Sequence, residues 1–124
     1  MPEDAEREAL LDILDHLCSS FPGVRGVLVA SRDGHPILLR SRHVQDEVVL
    51  AGMAATAAGL GERLVLTLGA QELLRVSMRT PEAEVTLFMC GQKAVLVILV
   101  EEALVSPLVY LEARDAAQAV ALLV

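Results

Sequence analysis

Histidines, cysteines and glycine-rich segments are the first places to look for chemistry in this chain of 124 residues. His16, His35 and His43 do not have the spacing at which two histidines on one helix bind a metal. Cys18 and Cys90 stand outside any C-x-x-C pair, which predicts buried free thiols in a reducing compartment. The sequence therefore predicts no metal site and no catalytic residue.

A nucleotide or cofactor site is also not expected. The pattern G-x-x-x-x-G-K-[ST], whose backbone N–H groups hold phosphates, does not occur in the sequence. The segment GLGERL at 59–64 partly imitates a dinucleotide-binding fingerprint, but it lies inside a predicted helix and lacks the third glycine. We expect no bound cofactor.

Arginines are the remaining candidates for a chemical role. Nine of the ten basic residues are Arg, and the planar guanidinium pairs with carboxylates and is common at protein interfaces. The alternative is a compositional habit of an arginine-favouring genome. Arg63 ends a predicted helix, and Arg75 and Arg79 point the same way from a predicted strand. We take these three as candidate partner-binding residues.

Charge and composition narrow the class of protein. A net charge of −7 argues against a nucleic-acid partner, because proteins that bind nucleic acid present a basic face. The first residues are acidic and contain no signal-peptide core, which predicts a cytoplasmic protein. The hydrophobic fraction of 54% is above the usual ~45–50%, and this surplus suggests an interface.

The segment Val48–Gly61 (VVLAGMAATAAGLG) contains no charged residue. It is too short to span a bilayer, which requires ~20 apolar residues, so membrane insertion is not expected. An ordinary surface helix has one apolar face and one charged face. A helix that is apolar all round, in a small protein, is expected to pack on its own core and on a second chain.

The large and the small apolar residues of this helix predict which face packs on the sheet and which face meets the second chain. The large residues Val49, Met53, Leu60 and Leu64 are expected to pack on the sheet. The small face is expected to meet the second chain, because glycine costs a helix interior ~1 kcal/mol and therefore suggests a close approach of another backbone. An alanine- and glycine-rich core helix is the alternative. The predicted interface residues of this helix are Val48, Gly52, Ala55 and Gly59.

The spacing of apolar residues predicts three helices and five strands. Asp33-Gly34 between two apolar runs indicates a hairpin, and the strict alternation of Glu72–Arg79 indicates a strand with one exposed face. The predicted elements are a helix at Pro2–Ser20, strands at Val24–Ser31 and Pro36–Ser41, a helix at Gln45–Thr67, strands at Glu72–Arg79, Glu84–Cys90 and Ala94–Val100, and a helix at Leu108–Val124.

These elements predict a single α+β domain spanning residues 1–124. The order α-β-β-α-β-β-β-α gives a five-stranded, antiparallel-rich sheet with helices on both faces. The strands that begin at Val24 and Ala94 are expected to be central. The strands that begin at Pro36 and Glu72 are expected to be edges.

The segment Gly23–Ile37 (GVRGVLVASRDGHPI) resembles the opening hairpin of Roadblock/dynein-light-chain domains. The alanine-rich helix, the alternating strand, the meander and the C-terminal helix follow in the order of that family, so the resemblance covers nearly the whole chain. It implies a Roadblock/profilin-like fold and a cytoplasmic homodimer. In that family the third strands pair across a two-fold axis and the second helices pack side by side.

The resemblance therefore adds the third strand to the predicted dimer interface, where an exposed strand edge had already suggested the need for cover. The residues added are Leu74, Arg75, Val76, Ser77 and Met78.

Bacterial members of the family resemble a gliding-motility regulator that binds a Ras-like GTPase and stimulates its hydrolysis. The resemblance implies a non-catalytic regulator or scaffold of a small Ras-like GTPase. Because the chain ends at Val124, without the C-terminal extension of some activating members, it implies GTPase binding more than activation. The alternatives are a small-molecule sensor and a purely structural, light-chain-like assembly subunit.

Overall fold

The computed structural model of the chain describes residues 3–42 and 46–124. The elements are α1 (Asp4–Ser20), β1 (Val24–Ser31), β2 (Pro36–Ser41), α2 (Glu47–Thr67), β3 (Arg75–Arg79), β4 (Ala83–Cys90), β5 (Ala94–Glu101), a 3₁₀ turn (Glu102–Leu104) and α3 (Pro107–Ala121). The predicted element order is confirmed. Pro2 and Gln45, where two helices were expected to begin, and His43 lie outside the described residues.

All five strands form one antiparallel sheet in the order β2-β1-β5-β4-β3. β1 and β5 lie inside the sheet, whereas β2 and β3 are its edges. The predictions for the central and edge strands are therefore confirmed. β3 begins at Arg75 and not at Glu72, although the Leu74 carbonyl still accepts a hydrogen bond from the Met89 N–H at 3.2 Å.

Local sequence signals begin and end the elements. Gly34, between β1 and β2, has a φ of 95°, a conformation that glycine adopts without steric cost. The Asp46 side chain accepts hydrogen bonds from the N–H groups of Val48 and Val49, each at 3.2 Å, and so caps α2. Ser106 caps α3 in the same way, with the Val109 N–H as donor at 3.3 Å.

The central strands are apolar on both faces because helices cover both faces. On one side α1 and α3 pack on the sheet around Leu14, Val29 and Ile98. On the other side α2 covers Leu28 and Val95. The continuous apolar sequence of β5 thus places a side chain in one core or the other at nearly every position.

The prediction for the orientation of α2 is wrong. The residues that face the sheet are the small Ala51, Ala54 and Ala58, whose exposed fractions are 0–6%. The large residues that were expected there, Val49, Met53, Leu60 and Leu64, are 53–69% exposed. The physical reason is volume: the sheet beneath α2 already supplies leucines and valines, so the close-packed core leaves room only for methyl groups from the helix.

Candidate interaction surface

The outer face of α2 is an exposed apolar surface that the packing of the described chain does not explain. Val49, Met53, Leu60 and Leu64 are spaced by four, seven and four residues, so they form one stripe along the helix. Val48, 65% exposed, lies beside this stripe. Contiguous exposed apolar surface of this kind usually marks a contact with another molecule. We call these five residues the outer stripe of α2.

α2 also has the length and composition of a membrane-spanning helix. Its position in the fold gives a different explanation for that composition. Ala51, Ala54 and Ala58 pack on the sheet, and the Asp46 cap and the pair between Glu62 and Arg32 place charged groups along the same helix. The helix is therefore one layer of the fold, with an apolar outer surface.

The predicted small face of α2 lies next to the chain's own hairpin. A Cβ atom at Gly34 would lie 3.5 Å from the Gly52 Cα and 3.8 Å from the Ala55 Cβ. Gly52, Ala55 and Gly59 are partly exposed, whereas Val48 is open to solvent. The hairpin turn therefore borders the middle of this face, beside Gly52 and Ala55, and leaves the face partly accessible.

The glycines of α2 differ in what surrounds them. A Cβ atom at Gly61 would approach Leu73 to 3.0 Å and Val76 to 3.1 Å, so packing within the chain explains this glycine. A Cβ atom at Gly52 or Gly59 would meet nothing within 4 Å. Contacts within the described chain do not require glycine at these two positions, although each weakens the helix by ~1 kcal/mol.

β3 presents an open backbone edge. In an antiparallel pair, alternate residues direct both N–H and C=O toward the neighbouring strand. The hydrogen bonds of Leu74 to Met89 and of Thr80 to Ala83 show that the even-numbered residues of this segment face β4. The N–H and C=O groups of Arg75, Ser77 and Arg79 therefore point away from the sheet, where another strand can pair with them.

The side chains of β3 divide between the two faces of the sheet. Val76 packs beneath α2, while Met78, on the same face, is 47% exposed, and Leu74 is 70% exposed. On the α3 side, the Ser77 hydroxyl lies 3.1 Å from the Thr86 hydroxyl. β3 therefore combines an unpaired backbone edge with exposed apolar and polar side chains.

The three candidate arginines are held differently. Arg79 pairs with Glu102 and lies 3.8 Å from Glu84, and these carboxylates raise its pKa. The Arg75 guanidinium lies 5.3 Å from the centre of the Tyr110 ring. Within residues 3–42 and 46–124, neither Arg63 nor Arg75 has a carboxylate partner, whereas Arg25, Arg32, Arg40, Arg79 and Arg114 each have one. Arg63 and Arg75 are therefore available to bind another molecule, whereas Arg79 is already paired with carboxylates of its own chain.

The groups that could do covalent chemistry are shielded or solvated. Burial raises the pKa of the Cys90 thiol to about 12, and burial followed by the Asp15 carboxylate raises that of Cys18. His16 is close to Ser20 and Glu112, and His35 lies 3.3 Å from Asp33 in the exposed hairpin turn. In the described part of the chain, no three His, Cys, Asp or Glu side chains come together as metal ligands.

Two features of this surface were not predicted from the sequence. The outer stripe was assigned to the core, since a charge-free helix gives no polar face by which to orient it. Tyr110 was not recognised as a neighbour of Arg75, because the two residues meet only through the packing of α3 beside β4. The excess of both large and small apolar residues in α2 was the signal that one set must remain exposed.

Comparison with known proteins shows which family and which solved structures the chain is similar to. The sequence pattern of the Roadblock/LC7 domain family matches residues 10–100. No protein of curated function matches the chain in sequence. Among solved structures, MglB in a tetrameric arrangement is similar with a TM-score of 0.89 and 21% identity, over 98% of this chain and 91% of that one.

Two further structures show how far the similarity extends. The gliding protein MglB from Thermus thermophilus has a TM-score of 0.88 and 20% identity, over 98% of this chain and 92% of that one. LokiProfilin1, solved with rabbit actin, has a TM-score of 0.63 and 16% identity, with both chains fully covered. The Roadblock/profilin-like fold is therefore confirmed, and the match to residues 10–100 shows that the chain belongs to the Roadblock/LC7 family.

Proposed function

We propose that the chain is a non-catalytic, cytoplasmic regulator or scaffold of a small Ras-like GTPase, and that it works as a homodimer. Its membership of the Roadblock/LC7 family and its structural similarity to MglB support regulation of a small GTPase. The exposed outer stripe of α2 is the observation that carries the proposal of an interface. The five strands form one sheet, which supports a single domain over residues 1–124.

The homodimer interface is proposed to combine β3 with the exposed surface of α2. Pairing of two β3 strands would satisfy the outward N–H and C=O groups, and a two-fold axis perpendicular to the sheet would place both α2 helices on the same side. The outer stripe would then be buried between two layers of helix. The interface residues predicted from the sequence remain part of this proposal: Val48, Gly52, Ala55, Gly59, Leu74, Arg75, Val76, Ser77 and Met78.

The absence of an intrachain reason for Gly52 and Gly59 supports the same surface. Each lies on α2 where a Cβ atom would meet open space in the chain alone. Close approach of a partner backbone would give a reason for accepting the helix cost of glycine. Arg63, at the C-terminal end of the same exposed surface, has no carboxylate partner among the described residues and is the arginine we assign to contact with the GTPase.

A regulator without an active site acts on hydrolysis through the conformation of its partner. Ordering the switch loops and the attacking water of a GTPase raises its hydrolysis rate without a group supplied in trans. The alternative of a small-molecule sensor would need a pocket between sheet and helix. At Ala51, Ala54 and Ala58 the helix packs directly on the sheet, which favours the protein-binding function.

The experiment that tests the proposal is affinity capture from an extract of the source organism with the full chain as bait. The capture is run once with a non-hydrolysable GTP analogue and once with GDP. Retention of a small GTPase mainly with the GTP analogue supports an effector or activator, and a hydrolysis assay with the purified pair follows. Equal retention supports a scaffold.

A matched control separates binding from folding. Arg63→Gln removes an exposed cation that makes no contact with a carboxylate in the described part of the chain, and it should reduce capture without changing the melting temperature. Failure to retain any GTPase, in either nucleotide state, would overturn the proposal and favour an assembly subunit or a sensor. A ligand-dependent rise in melting temperature would then distinguish the sensor.

A further inference from the structure

A groove of about 1690 Å³ runs between α3, the segment that leads into β3, and the C-terminal part of α2, where Glu62, Val65 and Leu66 line it. Phe88 and Tyr110 contribute to its lining, and the exposed Leu74 and Leu111 stand at its sides. Small-molecule sites usually enclose ~300–1,000 Å³ and surround the ligand. The groove exceeds that range and is open along its length, so its dimensions suit a peptide segment.

Arg75 gives the groove a fixed positive charge. Its guanidinium lies over the Tyr110 ring, 5.3 Å from the ring centre, and it has no carboxylate partner among the described residues. Stacking on an aromatic ring orients a guanidinium but leaves its N–H donors free to bind a carboxylate. Arg114 also lines the groove, and its carboxylate contact is with the adjacent Asp115, at 3.7 Å.

Two carboxylates, Glu62 and Glu72, line the groove together with Arg75 and Arg114. Glu62 pairs with Arg32, and Glu72 forms no ion pair with Arg75 or Arg114 in the described part of the chain. The lining therefore has equal numbers of basic and acidic residues, and Arg75 is the cation among them without a carboxylate partner in the described part of the chain. A carboxylate-bearing ligand is the class that complements an unpaired arginine in an apolar setting.

We infer that this groove binds an acidic peptide segment of a protein partner, with a carboxylate on Arg75 and apolar side chains against Leu111 and Tyr110. The ion pair would fix the register of the peptide, and the apolar contacts would supply most of the buried area. Arg114 lies on the same helix as Tyr110 and offers a second position for a carboxylate.

The inference does not rest on the proposed GTPase. In the proposed homodimer, β3 pairs through its backbone and α2 lies on the opposite face of the sheet, so the Arg75 side chain stays on the α3 face. The homodimer would carry two such grooves, related by the two-fold axis. A peptide bound here leaves the outer stripe of α2 free, and the two kinds of binding can fail independently.

The test is selection from a random peptide library on the full-length protein, followed by affinity measurement of the selected peptides by fluorescence anisotropy. We expect peptides with Asp or Glu flanked by apolar residues. Arg75→Gln should weaken their binding by ~10-fold or more, the effect of losing one charge-assisted hydrogen bond, and the affinity should fall as salt rises. Arg63→Gln, which removes the other candidate arginine without a carboxylate partner, should leave the affinity unchanged.

Arg114→Gln provides a second variant in case Arg75→Gln alters β3, and melting temperature and mass are measured for every variant. Selected peptides without acidic residues, or an affinity that neither groove variant changes, would overturn the inference. So would a loss of binding in Arg63→Gln, because Arg63 does not line the groove. Binding of peptides with no GTPase capture would leave the groove supported while the proposed function failed.

Discussion

At the scale of single residues, the two cysteines show how burial controls reactivity. Cys90 lies in the core between the sheet and α3, and burial raises its pKa from 9.0 to about 12. The thiolate is the reactive form of cysteine, so this side chain is inert at neutral pH. Cys18, half-buried on α1, also has a raised pKa, because burial and the Asp15 carboxylate both disfavour the thiolate.

We predict that Cys90 makes the protein less stable in alkali. Because the folded pKa lies above the unfolded pKa, the stabilising contribution is complete below the unfolded value. It is lost as pH rises from 9.0 toward 12, at ~1.4 kcal/mol per pH unit. Urea unfolding at successive pH values would measure the slope. Cys90→Ala should remove that part of it, whereas an unchanged slope would contradict the assignment.

The glycines of α2 differ in their packing in a way that the sequence alone did not predict. From the sequence, Gly52, Gly59 and Gly61 were equivalent, since each interrupts an alanine-rich helix. In the structure only Gly61 is explained by its neighbours, Leu73 and Val76. Such a difference cannot be predicted from spacing, because it depends on a loop that returns to the helix after it ends.

At the scale of elements, the N-terminal cap of α2 should contribute measurably to stability. Asp46 accepts hydrogen bonds from two backbone N–H groups that otherwise have no partner within the helix. We predict that Asp46→Ala lowers the free energy of unfolding by ~1 kcal/mol, whereas Asp46→Asn retains most of the stabilisation. Urea unfolding of the three proteins in parallel would measure both values. Equal stability of Asp46→Ala and the parent would show that the cap is not formed.

The backbone direction of β3 gives a second prediction for an element. The Ser77 N–H points away from β4, so Ser77→Pro should leave the β3–β4 ladder intact and prevent pairing with a second β3. The expected result is a folded protein that sediments with half the mass of the parent. Val76→Pro is the control, because its N–H faces β4 and its loss should lower the melting temperature.

A Ser77→Pro protein that keeps the parent mass would contradict pairing through β3. The alternation of Glu72–Arg79 was sufficient to predict a strand with one polar face, and this strand is an edge of the sheet. The sequence could not predict which faces of β3 and α2 lie toward the core. α2 has no charged face, and the sizes of the side chains beneath it are set by three other strands.

At the scale of the whole molecule, the exposed outer stripe predicts the state of association. We expect the purified chain to form a dimer that persists in high salt, since apolar contacts are not screened by ions. Leu60→Glu should shift the mass to that of a monomer, because it places a charge within the stripe, where Leu60 is 69% exposed. Analytical ultracentrifugation at several salt concentrations would measure the change.

Two further variants localise the interface. Leu108→Glu changes a leucine that is 55% exposed on α3, and it should leave the mass of the dimer unchanged. Gly52→Glu tests the small face predicted from the sequence, at a position where an added side chain meets open space in the monomer. If Leu60→Glu and Gly52→Glu both remain dimeric, the interface does not include α2.

The direction of the side chains on β3 also bears on which chains can associate. When two copies of β3 pair about a two-fold axis perpendicular to the sheet, odd-numbered residues lie opposite odd-numbered residues. If the axis passes next to Ser77, Arg75 of one chain lies opposite Arg79 of the other. Like charges directly opposite each other destabilise a strand pair. Here Arg79 pairs with Glu102, and the Arg75 guanidinium lies over the Tyr110 ring. A paralogue with acidic residues at both positions would pair with this chain better than either pairs with itself. Subunit exchange between the two would then favour the heterodimer, and β3 would determine which chains of a mixed population assemble.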